Sequence, residues 1–169
     1  YLLWRDGRLD DAGFARRPLG FVAGYGALGW VCAWIALLTV VLVVNSVLFA
    51  VGTEIDEATG EAAVDLTLGV VLAGLAIALT AGIAEETVFR AYAISRMEEA
   101  GYGRAALVVP WAVFTSLHVY QGAFALLAVG AVAAVFTWLF AWKRSVWPCM
   151  VAHALYNLGV LVLSAALPS

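Results

Sequence analysis

Three stretches without a charged residue, 19–53, 105–142 and 145–169, set the first limit on this chain. Each is long enough to cross a bilayer at least once, since about 20 apolar residues suffice for a helix. A fourth run, 66–84, has neither Pro nor charge and leads straight into a charged sequence. Composition points the same way: 64% of the 169 residues are hydrophobic and only 12% charged, too apolar for a soluble domain of this size. The mean hydropathy is +0.96. The fold class read from this is all-α, a polytopic transmembrane helix bundle. The net charge of −3 is spread along the chain and implies no nucleic-acid partner. Both cysteines, Cys32 and Cys149, fall inside apolar runs and read as small hydrophobes, not as a disulfide or metal pair.

In chain order, residues 1–18 read as a cytoplasmic or interfacial N-terminal segment carrying Arg5, Arg8, Arg16 and Arg17. Residues 19–169 read as the membrane core. The sequence begins at Tyr1 with no signal peptide, and the expectation is that helices upstream are missing. The first span, 19–51, is expected to tilt or break near its glycines at 20, 24, 26 and 29. An acidic loop at 52–65 follows. A second helix runs from about 66 towards 99, where Gly101–Gly103 stops it. The third is expected from 104 to about 120, interrupted or kinked at Pro110. Gln121–Gly122 turns the chain into the fourth, 123–142, and after Lys143–Arg144 the fifth covers 145–167. Pro148 near its start is tolerated there.

Alternating five spans puts 1–18, 90–104 and 143–144 on one side, and with them all nine Lys and Arg residues. That side is expected to be cytoplasmic, in a multi-pass cell-membrane protein.

Within this frame one stretch stands out, AEETVFRAYAISR at 84–96. On a helix Glu86 and Arg90 are four apart and share a face, so they are expected to pair. Glu85 lies about 100° round from Glu86 and is left free. One carboxylate is neutralised and its neighbour is not. The chain's two histidines, His118 and His153, sit in otherwise uncharged helices. Each shares a helix face with a residue four away, Phe114 with His118 and His153 with Asn157. Counted at helical rise from the nearest basic boundary, Glu85, His118 and His153 lie about 16, 21 and 13 Å inside. Ionisable groups at that depth normally face one another or a water-filled cavity. A carboxylate and a histidine around a trapped water make a general base for hydrolysis. A second histidine with an Asn amide can donate to a developing oxyanion.

Glu85-Glu86-x-x-x-Arg90, Phe114-x-x-x-His118 and His153-x-x-x-Asn157, in this order on successive helices, resemble the CPBP family of intramembrane endopeptidases. This family comprises the CAAX proteases and bacteriocin-processing enzymes, also called ABI. Phe89 before the Arg and Ser145-x-Trp147-Pro148 before the last His fit as well, and the motifs lie within 66–163. The resemblance implies that Glu85 and His118 activate the attacking water, and that Glu86, held by Arg90, orients. It implies that His153 and Asn157 stabilise the oxyanion and that Phe114 packs beside the site. It further implies a peptide or protein substrate, prenylated or membrane-embedded, met in the lipid bilayer, and no cofactor.

Zinc held by Glu85, His118 and His153 is the mechanistic alternative, against which stand the lack of His-Glu-x-x-His spacing and the poor ligand Asn157. A non-catalytic membrane scaffold or bacteriocin-immunity protein of the same fold is the alternative function. A transporter relaying protons through the intramembrane acids is a third.

Overall fold

A computed structural model describes residues 9–52 and 67–166. Residues 1–8, nearly all of the acidic loop and the last three residues lie outside the described residues. The described chain is helical throughout, without a strand. Helix α1 covers Leu19–Ala50, α2 Leu68–Glu99, α3 Ala105–Ser116, α4 Ala123–Lys143 and α5 Val146–Ala166. A short π-helical turn, Asp10–Phe14, precedes α1, and a 3-10 turn, Val119–Gln121, follows α3.

Among the described residues, α1, α2, α4 and α5 are the four helices long and apolar enough to cross a membrane. Large apolar side chains such as Leu42, Phe49, Leu72 and Ile77 stand exposed on α1 and α2, a surface suited to lipid rather than water. Two expectations about the helices can be set beside the structure. First, of the tilt or break expected near its glycines, α1 shows no break. It runs uninterrupted for 32 residues, about 48 Å at helical rise, so it must tilt or protrude from a ~30 Å hydrocarbon layer. Gly26 and Gly29 serve packing instead. A Cβ on Gly26 would lie 2.7 Å from Val151 Cγ1, and one on Gly29 2.7 Å from Leu139 Cδ2. Small residues let helices approach closely where lipid supplies no hydrophobic drive.

Second, α3 ends at Ser116 rather than near residue 120, though it does pass unbroken through Pro110. At 12 residues it is about 18 Å long, shorter by itself than a ~30 Å hydrocarbon layer. Its last turn is rich in back-bonded side chains. Thr115 Oγ1 donates to the Trp111 carbonyl at 2.9 Å, Ser116 Oγ to Val113 at 2.8 Å and the His118 ring to Phe114 at 2.9 Å. Side chains thus share the last turn's carbonyls, as Thr39, Thr80 and Thr137 do inside helices that continue, so these bonds accompany the end of α3 without dictating it. Gly122, with φ 91°, then turns the chain into α4.

The helices α4 and α5 form the centre. Helix α1 lies along both, α2 lies on α5, and α3 lies on α4. The core holds Ala33, Val132, Phe136 and Ala152 in one cluster, and Ala91, Ile94, Leu139, Phe140, Val146, Cys149 and Met150 in another. One end of the bundle is tied by contacts between elements. Arg144, in the α4–α5 connection, forks onto Glu98 near the end of α2 at 2.9 and 2.5 Å. That hydrogen-bonded carboxylate holds the Arg144 guanidinium above its ordinary value. At the same end, Trp147 Nε1 donates to the Phe14 carbonyl at 3.3 Å.

Candidate active site

Gly82 brings α2 against α5. A Cβ there would stand 3.1 Å from the Met150 carbonyl oxygen and 3.2 Å from the Ala154 nitrogen. One turn further on, α2 changes character. Glu86–Ile94 is π-helical, with Thr87 Oγ1 donating to the Ile83 carbonyl at 2.6 Å where the change begins. The hydroxyl claims a carbonyl of the α-helical ladder, which loosens helices at such points. Wider i→i+5 turns of this kind occur often at functional sites. Residues four apart still stack, so Glu86 and Arg90 meet as their spacing demands.

Arg90 Nη1 lies 3.0 Å from Glu86 Oε1, and both side chains are essentially fully buried, at 1% and 0% exposure. Arg90 Nη2 donates to the Ala133 carbonyl of α4 at 3.0 Å. Its guanidinium sits 4.8 Å from the Phe114 ring centre and 5.9 Å from that of Phe136. The cation is therefore held by one carboxylate, one carbonyl and two aromatic faces, each of which repays part of its desolvation.

Glu85 behaves differently. Its side chain keeps 35% of its exposure and faces a cavity of about 320 Å³ lined also by Phe114, His118, His153 and Asn157. The free carboxylate, both histidines and the Asn amide thus open on one space, as their shared depth demands.

The histidines differ in what holds them. The His118 Nδ1 partner is a carbonyl, which only accepts, so Nδ1 carries the proton and Nε2 is the acceptor of the neutral ring. His153 makes contacts that its spacing to Asn157 did not foretell. Its Nδ1 is 2.9 Å from Glu86 Oε1, the oxygen that also takes Arg90, and its Nε2 is 3.7 Å from Glu85 Oε2. Phe136 stacks on the ring at 5.2 Å. Because Glu86 only accepts, it fixes the proton on His153 Nδ1 and orients the ring. Glu86 Oε2 is buried without a partner. No hydrogen bond from Asn157 to protein occurs among the described residues.

Among the described residues no three or more His, Cys, Asp or Glu side chains form a group able to hold a metal ion. Each histidine has Nδ1 engaged, leaving one nitrogen apiece.

Two polar residues line the same cavity and were not singled out from sequence, Gln121 and Tyr156. Both stand three residues after a histidine. On α5 that spacing shares a face, and in the 3-10 turn after His118 it eclipses. The signal was present in the numbering.

Residues 67–159, more than half of the chain, match the family model described as Type II CAAX prenyl endopeptidase Rce1-like. The matched stretch begins just before α2 and ends on α5 beyond Asn157, so it contains every residue of the candidate site. No curated protein and no solved structure matches the chain.

Proposed function

Because the chain belongs to the Rce1-like family of type II CAAX prenyl endopeptidases, we propose that it hydrolyses a peptide bond inside the membrane with a water activated by Glu85 and His118. The observation that carries this reading is that Glu85, His118, His153 and Asn157, from three parts of the chain, line one cavity. A scaffold gains nothing from a free carboxylate there.

The reaction runs as follows. Water between Glu85 and His118 gives its proton to the Glu85 carboxylate as its oxygen attacks the scissile carbonyl carbon. The oxyanion takes hydrogen bonds from Asn157 and His153. Since His153 Nδ1 is committed to Glu86, donation requires a proton on Nε2 too, and the ring then acts as an imidazolium. The carbon–nitrogen bond breaks and the leaving amine takes the proton from Glu85. Glu86 and Arg90 hold His153 and do not touch the substrate.

The substrate is a peptide or protein, prenylated or membrane-embedded, reaching the site from the bilayer or from the side bearing the basic residues, which is cytoplasmic. Arg144 and Glu98 joining two connections at one end supports that alternation. The catalysis is glutamate-type and independent of metal.

The test is purified protein in bilayers with a quenched peptide bearing a prenylated cysteine, beside Glu85→Ala. Cleavage by the parent and none by the folded variant is expected. Equal function in Glu85→Ala would hand the chain to the scaffold or immunity reading. Metal analysis and chelation decide the second point: one zinc per chain, with activity restored only on its return, refutes glutamate-type catalysis.

A further inference from the structure

The α5 stripe that faces the cavity is His153, Tyr156, Asn157 and Val160. The i, i+3, i+4, i+7 pattern makes one continuous helix face. Of its three polar members only Tyr156 has no role in the proposed hydrolysis, on which the following rests. Its ring is held from behind. Trp34 of α1 packs against it at 5.4 Å, and Trp34 fits there because residue 159 is glycine. A Cβ on Gly159 would stand 2.7 Å from Trp34 Cζ2.

The phenol is thus fixed in place, yet among the described residues its hydroxyl makes no hydrogen bond to protein. Nor does the neighbouring indole satisfy it, for Trp34 Nε1 is itself buried and unpartnered. The hydroxyl of a tyrosine lining a cavity is a donor left available to whatever the cavity binds. A peptide carbonyl bound in the cavity would accept from it. Gln121 is the weaker candidate. It is exposed on a turn, and its Nε2 is already given to the Tyr120 hydroxyl at 3.0 Å.

We propose that Tyr156 is a further catalytic residue, a third donor to the scissile carbonyl oxygen beside His153 and Asn157. The phenol donates a hydrogen bond and keeps its proton, so no bond to it forms or breaks. Its contribution grows as the oxygen gains charge, and so it should appear in turnover rather than in binding.

Tyr156→Phe removes one oxygen and retains the ring against Trp34, so folding is unchanged, as a thermal unfolding curve checks. The expected result is kcat lowered about 100-fold, the scale of losing one oxyanion donor, with KM unchanged. Affinity for a peptidyl phosphinate, a tetrahedral mimic, falls by the same factor. A wild-type kcat, or a loss carried by KM alone, overturns the assignment. The two levels separate cleanly. If the parent chain cleaves nothing, or Glu85→Ala cleaves as well, the hydrolysis itself fails and the donor role falls with it. A cleaving parent matched by Tyr156→Phe refutes Tyr156 alone.

Discussion

Arg90→Met should unfold the protein more readily by about 3–5 kcal/mol, because it leaves a buried carboxylate without its cation. The structure narrows that range. Glu86 is 0% exposed, so bulk solvent does not reach the carboxylate left behind. The Ala133 carbonyl loses one of its two side-chain donors but keeps Thr137 Oγ1 at 2.9 Å. His153 Nδ1 remains on Glu86 Oε1 at 2.9 Å, and Met fills much of the space between Phe114 and Phe136. The lower end, about 3 kcal/mol, is therefore expected, or roughly two decades in the ratio of folded to unfolded protein.

Cys149 provides the assay. It is fully buried, while the chain's other cysteine, Cys32, is only partly so. With Cys32 replaced by Ala, a thiol-reactive dye reports the exposure of Cys149 alone as detergent-purified protein is heated. The transition should fall by about 6–12 °C, taking the scaling of soluble domains this size. Adding Glu86→Gln to Arg90→Met should recover most of the loss, since removing both charges is far milder than removing one. An unchanged transition in Arg90→Met, or a double variant no better than the single, would refute the reasoning.

Glu85→Gln should leave the dye transition within about 1 kcal/mol of the parent while lowering turnover 100-fold or more, because the part-exposed side chain opens on the cavity and its one charged neighbour, His153 Nε2, is 3.7 Å away. Gly82→Val should shift the same transition down by about 1–3 kcal/mol, as its Cβ meets the α5 backbone at 3.1 Å. Glu98→Ala, which frees Arg144 at a half-exposed surface, should cost less than about 1 kcal/mol and leave turnover untouched. A larger loss in turnover would make that pair part of the site.

What could be read from the sequence was whatever a single helix decides. The four long spans, the pairing of Glu86 with Arg90 and the freedom of Glu85 follow from apolar length and from residues four apart. The common depth of Glu85, His118 and His153 needed only helical rise and basic boundaries. Other features depend on a second element. The glycines of α1 look alike whether they break a helix or admit Val151 and Leu139. The early end of α3 has no clear sign in the sequence, since Thr39, Thr80 and Thr137 turn back on their own carbonyls inside helices that continue. The His153–Glu86 bond joins α5 to α2, and no spacing within either helix encodes it. The π-helical segment has only Thr87 as a local sign.

The same contacts bear on why a hydrolase site can exist at this depth. With His153 neutral, the site holds two carboxylates against one guanidinium; with His153 as an imidazolium, the charges balance. In a low-dielectric interior, creating a new charge is far harder than moving one. Under the proposed reaction, Glu85 becomes neutral as it takes the water's proton, and the carbonyl oxygen becomes negative in the same step. The number of charges does not change. A negative charge passes from Glu85 to an oxygen served by His153, whose Nε2 already stood 3.7 Å from Glu85. One imidazolium serves both ends of that transfer, and Glu86 with Arg90 keeps the ring in place throughout. The buried ion pair beside the cavity is then less a source of stability than the fixed frame that lets the charge move without reorganisation, which is where preorganised sites gain their rate.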